Sequence, residues 1–575
     1  MRFTVVVLSF FVTSLFAFAA HAEGSKPFVS VSDSDLLKGH RGAPSTWPMY
    51  GGSYGQERFS DLDQINRGNV KNLKPAWTFH TGVYNMASGY QTTPIVHNGD
   101  MYITSPRVGR EQWLMKLDAR TGEEIWRKGI RIGASRYCCG PNNRGATIYK
   151  DKVYLATLDA RLIAFDPENG DVIWETSTGE SAEGYSQTCA PVAFDDKLFI
   201  GVAGGEFGIR GYLKAFDAHT GKLLWTWHTI PSPEEGGWYG DWQETAPGIG
   251  LSLNRNIAQE KADMDKYPDA WKRGGVPIWT TPSLDPERRL IYVTTGNPGP
   301  DYDASVRPGD NLWGDSLCAI RIDDGTLTWG FQYVPHDVWD YDGGTPPLLF
   351  DAEIDGVQTP VVGLFTKLGY FYLLDRRDGT LLKVSEPYVP QENLFTHFTE
   401  EGTRIAPGSA GGTNWSPASY NPTNGLVYSV NIHWPMMMTT QPDLPYKPGT
   451  MYQGGNASFS TKGVTIWGNV LALNPVTGKI VWKTKTDLPM FSGVITTAGG
   501  LVFAGQSDAS FDAWDADTGE LLWHFPTAAG CNAAPITYML DGKQYVTIVA
   551  GGSRYTRRSR DEPPEADAII TFALP

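Results

Sequence analysis

Short apolar runs recur along this chain, and most end in the same phrase. The run leads to Asp or another polar residue, then to a turn ending in Gly, and Trp stands four residues beyond that Gly. The phrase appears at Gly122/Trp126 (LDARTGEEIW), Gly170/Trp174, Gly221/Trp225, Gly325/Trp329, Gly478/Trp482 and Gly519/Trp523. A seventh copy around Gly379 carries Lys383 in place of Trp, and KPAWTF around Trp77 keeps only the Trp. Each phrase reads as strand, tight turn, strand, because Asp-x-x-Thr-Gly supplies turn-forming side chains and a Gly free to take positive φ. Alternating runs such as DKVYLATLDARLIAF and KLFIGVAGG predict further strands between the phrases. Trp126, Trp174 and Trp225 lie about fifty residues apart, room for four strands.

Four-stranded units repeated about eight times predict an all-β fold, an eight-bladed β-propeller with Trp packing between neighbouring blades. The gaps 225–329 and 383–482 are twice as long and are predicted to hold insertions. Helix is scarce. One candidate covers 257–272, interrupted by Pro268.

At 575 residues, a prior of ~150 residues per domain suggests about four domains. A repeat array overrides it, so residues 23–575 are predicted to form one propeller domain. The first 22 residues read as a cleavable signal peptide: Arg2, an apolar run through Ala20, then Ala20-His21-Ala22. No Cys precedes Cys138, so a lipid anchor near the cleavage point is not expected. A periplasmic protein is predicted. No other stretch reaches the ~20 apolar residues of a membrane span. Apolar residues make up 41% and Trp numbers 20, which excludes a disordered chain. The formal charge of −15 argues against nucleic acid and favours basic partners.

There is no G-x-S-x-G, Walker loop, H-E-x-x-H or C-x-x-C-H, so serine-hydrolase, nucleotide, zincin and covalent-haem chemistry lack support. Other residues draw attention. In PHDVWDYDGG, an extended backbone would point Asp340 and Asp342 the same way, and paired carboxylates invite a hard cation. An isolated D-x-D reads more readily as a solvated loop. Cys138-Cys139 are either a strained bonded pair or two core thiols. Arg144 follows them and suits an anionic ligand. Glu206 sits among the glycines of GVAGGEFGIRG, and Asn297 before a turn in TTGNPGPDYD, where plain turn chemistry explains each as well. Trp279 lies outside the repeated phrase and suits either a stacking floor or ordinary core.

Together these motifs resemble the quinoprotein alcohol dehydrogenases, the methanol and ethanol dehydrogenase group that uses pyrroloquinoline quinone (PQQ). The resemblance covers about residues 40–552. It implies a Cys138-Cys139 disulfide on one face of PQQ and Trp279 on the other. It implies that Gln91, Arg144, Thr188, Lys367 and Asn414 bind the quinone, and that Gly204 and Gly205 bring backbone against it. Glu206, Asn297, Asp340 and Asp342 would bind the metal, with Asp340 the catalytic base. Gln91 stands where many members have Glu, and Phe491 where methanol dehydrogenases have Trp; Cys189, Cys318 and Cys531 receive no role. Asp342, where calcium enzymes usually have a small residue, resembles the lanthanide-dependent branch. A trivalent ion is better neutralised by one more anionic oxygen.

The implied reaction is oxidation of a primary alcohol to the aldehyde by hydride transfer to PQQ, with a lanthanide ion as Lewis acid. A soluble cytochrome c would accept the electrons, and a homodimer is compatible with the family. Two rival readings are a calcium-dependent PQQ dehydrogenase of a polyol or sugar acid, and a non-catalytic propeller scaffold.

Overall fold

The computed structural model describes residues 27–84, 89–552 and 566–575; the predicted signal peptide lies outside them. Eight sheets contain four or five strands each, and a ninth has three. Within a sheet, chain-consecutive strands run as antiparallel neighbours, as in Val192–Phe194, Lys197–Ile200, Tyr212–Asp217 and Leu223–His228. One sheet joins the two ends of the chain. There Lys74–His80 pairs antiparallel with Ala568–Ala573, in register from Lys74↔Ala573 to His80↔Ala568.

Burial follows position in the sheet. The inner strand Lys152–Ala156 is buried at every residue, while the outer strand Val172–Ser177 has no buried residue. Inner strands therefore read as continuous apolar runs, and the outer strands carry the charged residues.

The repeated phrase forms the hairpin between the last two strands of a sheet. In the copy at Asp217, the Oδ1 atom accepts from the backbone N–H groups of His219 (3.1 Å) and Thr220 (2.8 Å), and Gly221 closes the turn at φ +71°. The strand pairing shifts register at the same place in copy after copy, as between Ala215 and Phe216 or Ala319 and Ile320.

The Trp of one phrase then packs on the Gly of the next. A Cβ on Gly325 would sit 2.5 Å from the Trp225 ring, and Trp225 Nε1 donates to Ile322 O at 3.0 Å. Trp77 does the same at Gly122 and Ala119, so the degenerate copy still docks. Where Lys383 replaces Trp, Gly478 meets the Val384 carbonyl and the Lys383 stem instead. Gly is thus required twice over, for positive φ and for room against an indole.

The long gaps do hold insertions. Between Leu223–His228 and Ser283–Asp285 the chain forms helix Ile257–Asp263 and the 3-10 turns Met264–Lys266 and Ala270–Arg273. The helix predicted over 257–272 is therefore much shorter, ending even before Pro268. The sheet of Thr403–Ile405, Met436–Thr440 and Gly455–Ser458 fills the second gap. A helix at Asp33–Gly42 was not anticipated, although Ser32 and Asp35 form a capping box legible in the sequence.

Candidate active site

In an up-and-down sheet, the start of the first strand and the end of the second lie at the same end. The loops leaving those points therefore converge, and they carry nearly all the residues singled out above. Cys138, Cys139, Arg144, Thr188, Trp279, Asp340, Asp342 and Asn414 lie on loops that lead into a first strand. Gly204 to Glu206, Asn297 and Lys367 lie on loops that follow a second strand. Most of them line one cavity of about 460 Å³. Gln91, Gly205 and Asn297 are buried outside its lining.

Asp340 and Asp342 do face the same way, but not because the segment is a strand. Asp340 has φ +65° and His336 +55°. The Asp337 carboxylate organises the turn, accepting from the N–H groups of Trp339 (2.8 Å) and Tyr341 (2.9 Å). Trp339 and Tyr341 are wholly buried in the core, which leaves the two acids facing the cavity.

Lys367 lies between them. Its Nζ is 2.6 Å from Asp340 Oδ1 and 2.8 Å from Asp342 Oδ2. Asp342 Oδ1 accepts from the Asn297 N–H at 2.6 Å, an approach that needs a residue without Cβ at Gly296. Glu206 is placed by a 3-10 turn, Gly205–Phe207, flanked by Gly204 (φ +118°) and Gly208 (φ +65°). Burial, then the nearby Asp342, pushes the Glu206 carboxyl up to about 6, with Lys367 acting the other way. Burial also raises Asp340, again against Lys367. For Lys367, burial works to lower the pKa, and the two Asp outweigh it and raise it. Among the described residues, no three carboxylates bring their oxygens within 4.8 Å of one another.

On the other side, the Sγ atoms of Cys138 and Cys139 are 2.22 Å apart, and Cys139 Sγ is 3.7 Å from Glu206 Oε1. Arg144 Nη1 donates to Thr188 Oγ1 (2.9 Å) and Trp279 O (3.3 Å), with its guanidinium carbon 5.1 Å from the Trp279 ring centroid. Burial lowers the Arg144 pKa to about 10, so it stays charged at neutral pH. Cys189, Cys318 and Cys531 are buried thiols.

Several cavity residues went unnoticed in the sequence. Asn142 lies within the CCGPNNRG motif, yet Cys and Arg drew attention first. Asp301 and Tyr302 lie in TTGNPGPDYD, beside Asn297. Ser186, Trp415 and Gln453 carry no local signal. Phe491, noted only as a departure, stacks on Trp415 with centroids 4.9 Å apart.

Two groups of atoms test whether a quinone and a cation fit here. Asn142 Oδ1, Ser186 Oγ and Arg144 Nε are buried without a protein hydrogen-bond partner, and all three residues line the cavity. A polar ligand would satisfy them. Four acids line it as well, Glu206, Asp301, Asp340 and Asp342, against one Lys at that end. Four negative charges less one positive leave a formal −3, which a multivalent cation would offset. The residues fit both groups.

The chain also matches the PQQ family described as "Glucose/ethanol/alcohol dehydrogenase, beta-propeller domain" over residues 47–394 and 467–546. The chain belongs to this family. The quinoprotein is 34% identical to the quinoprotein alcohol dehydrogenase PedH of Pseudomonas putida, covering 98% of this chain and 95% of that protein. It is 32% identical to the lanthanide-dependent methanol dehydrogenase of Methylacidiphilum fumariolicum, over 92% of this chain and 88% of the relative. A solved europium-containing methanol dehydrogenase superposes with a TM-score of 0.80 at 29% identity, covering 94% of this chain and all of that one. This protein is therefore a PQQ-dependent alcohol dehydrogenase.

Proposed function

We propose that this quinoprotein oxidises a primary alcohol to its aldehyde in the periplasm, with a lanthanide ion beside PQQ and a soluble cytochrome c as electron acceptor. The observation that carries the reading is a cluster of four acids, two of them paired with Lys367, in one cavity with Cys138, Cys139 and Trp279.

PQQ would lie between the Cys138-Cys139 disulfide and Trp279, held by Arg144, Thr188, Lys367 and Asn414, with Gly204 and Gly205 bringing backbone close and Gln91 contributing from its buried position. Glu206, Asn297, Asp340 and Asp342 would hold the metal. When bound, PQQ supplies the hydride acceptor and the metal a Lewis acid that polarises it. Asp340 accepts the proton of the substrate hydroxyl at a carboxylate oxygen. Lys367 holds Asp340 in place through Oδ1, and the Tyr302 hydroxyl lies 3.4 Å from the other oxygen, Oδ2. Arg144, fixed by its bond to Thr188 Oγ1, presents an unpartnered Nε–H to an anionic group.

The formal −3 of the acid cluster supports a trivalent ion over a divalent one, as do the names of two relatives. The eight sheets with four or more strands are taken as eight blades of one domain, closed by the pairing of Lys74–His80 with Ala568–Ala573. No helix among the described residues is long and apolar enough to cross a membrane. The acidic surface would suit a basic cytochrome.

The test is reconstitution of the apo-protein with PQQ and calcium, lanthanum or cerium, assayed across several alcohols. Activity with a lanthanide and an Asp340→Ser variant that binds PQQ but does not turn over are expected. Full activity of that variant would overturn the role of Asp340, and activity with calcium alone would overturn the choice of metal.

A further inference from the structure

Asp301 is the one acid of the cluster that the metal and base assignments leave unused. It is 2% exposed and lines the cavity. Its Oδ2 accepts from Gln453 Nε2 at 3.2 Å, while its Oδ1 is buried with no hydrogen-bond partner. Burial of such an acceptor is costly unless something donates to it.

Its surroundings set it beside the acid proposed as base. The next residue, Tyr302, reaches Asp340 Oδ2 with its hydroxyl. The Tyr302 N–H donates to Gln453 O at 2.8 Å, so Asp301-Tyr302 is fastened at two points to the segment around Gln453. That segment is tied across the cavity by the Tyr452 N–H, which donates to Glu206 O at 2.6 Å. It also supplies Met451 and Asn456 to the lining, both exposed. It falls in residues 395–466, outside the two stretches that match the family. The rim above Asp340 thus sets an unmatched acceptor, Asp301 Oδ1, among mixed neighbours: Gln453 and Asn456 are polar, Met451 and Phe459 apolar.

We infer that Asp301 is a specificity residue, and that its free Oδ1 accepts a hydrogen bond from a second hydroxyl of the substrate, which makes short diols and related polyols the preferred alcohols. The inference rests on the alcohol-oxidising reading above. A mono-alcohol leaves Oδ1 unmatched, and sites built around a substrate hydroxyl discriminate strongly against analogues that lack it.

The experiment compares kcat/KM for ethanol, 1,2-ethanediol and 2-aminoethanol in the full-length holoenzyme and in D301N and D301L. Metal content and PQQ absorbance are read on each protein. The wild type is expected to favour the diol over ethanol by about tenfold or more. The ratio should collapse in D301L and be partly kept in D301N, whose amide oxygen still accepts. A wild-type ratio near one overturns the proposal, as does a diol preference that survives in folded, loaded D301L. Preference for 2-aminoethanol would make the recognised group a cation and also overturn it. Loss of metal from D301N and D301L, with all alcohols falling together, would make Asp301 a metal-site residue instead. If D301L does not fold, the wild-type ratio and D301N decide. No turnover of any alcohol by a protein carrying PQQ and metal would instead remove the proposed function, and this inference with it.

Discussion

Lys367 Nζ stands 2.6 Å from Asp340 Oδ1, so the acid assigned as base is held by a buried cation. Both side chains are shielded, that of Lys367 at 6% exposure and that of Asp340 at 16%. The same ammonium group reaches Asp342, so it ties the loop after Val357–Phe365 to the loop that leads into its sheet partner Leu348–Ile354.

Removing that cation should be expensive. K367M leaves two buried carboxylates without their partner, and breaking a buried pair in this way costs about 3–5 kcal/mol. A lowered Tm is expected in the metal-free protein, with partial recovery on adding lanthanum. A metal-free Tm equal to wild type would show that Lys367 does not offset the acids.

Asp342 should set the choice of metal. In D342A, one anionic oxygen is lost beside the ion, which weakens a trivalent cation more than a divalent one. Competition between lanthanum and calcium, read as metal content by mass spectrometry, should move toward calcium by about tenfold or more. Unchanged selectivity would take Asp342 out of the metal site.

The docking of Trp on Gly can be measured by a matched pair of substitutions. Gly325 (φ +75°) lies against the Trp225 ring, while Gly356 (φ +80°) has open space where a Cβ would go. Both Ala variants bear the backbone strain of positive φ, about 1 kcal/mol or more. Only G325A also displaces an indole, which adds about 1–3 kcal/mol. G325A should therefore lower Tm clearly more than G356A; equal shifts would mean that the indole contact contributes little.

Stability should fall between pH 6.5 and 4 partly through His40. Its Nδ1–H donates to Thr46 O (2.8 Å), and its Nε2 accepts from Ser60 Oγ (2.6 Å). Burial lowers its pKa from 6.5 to about 4, against the Thr46 hydrogen bond. The unfolded chain takes up a proton at 6.5 that the folded chain refuses until about 4. This contribution is thus fully present above pH 6.5 and lost as pH falls to 4, on the order of 3 kcal/mol. H40Q should unfold with a shallower pH dependence across that window than wild type, whatever its absolute stability. An identical slope would show that His40 does not titrate on unfolding.

How much was legible depends on where each signal comes from. The hairpin phrase was readable because its Asp, Gly and Trp each answer a local demand: a turn acceptor, positive φ and a flat partner. The paired acids, the adjacent cysteines and Glu206 among glycines were readable because such residue types are rare in those settings. The segment at Asp340 is not extended, because Asp337 bends it through hydrogen bonds that alternation alone does not reveal. Asp301 sat unremarked beside Asn297, since one Asp in a turn carries no sign of what faces it.

By itself the sequence determined the all-β repeat, which rests on contacts within a phrase or between consecutive phrases, the insertions, which show as long gaps between phrases, and the family, which shows in rare local motifs. Only the tertiary structure decided that Lys367 sits between Asp340 and Asp342, and that Gln453 reaches Asp301 across 152 positions of chain. Loops from different sheets meet only when the sheets pack, and no periodicity along one strand encodes which loop lies opposite another.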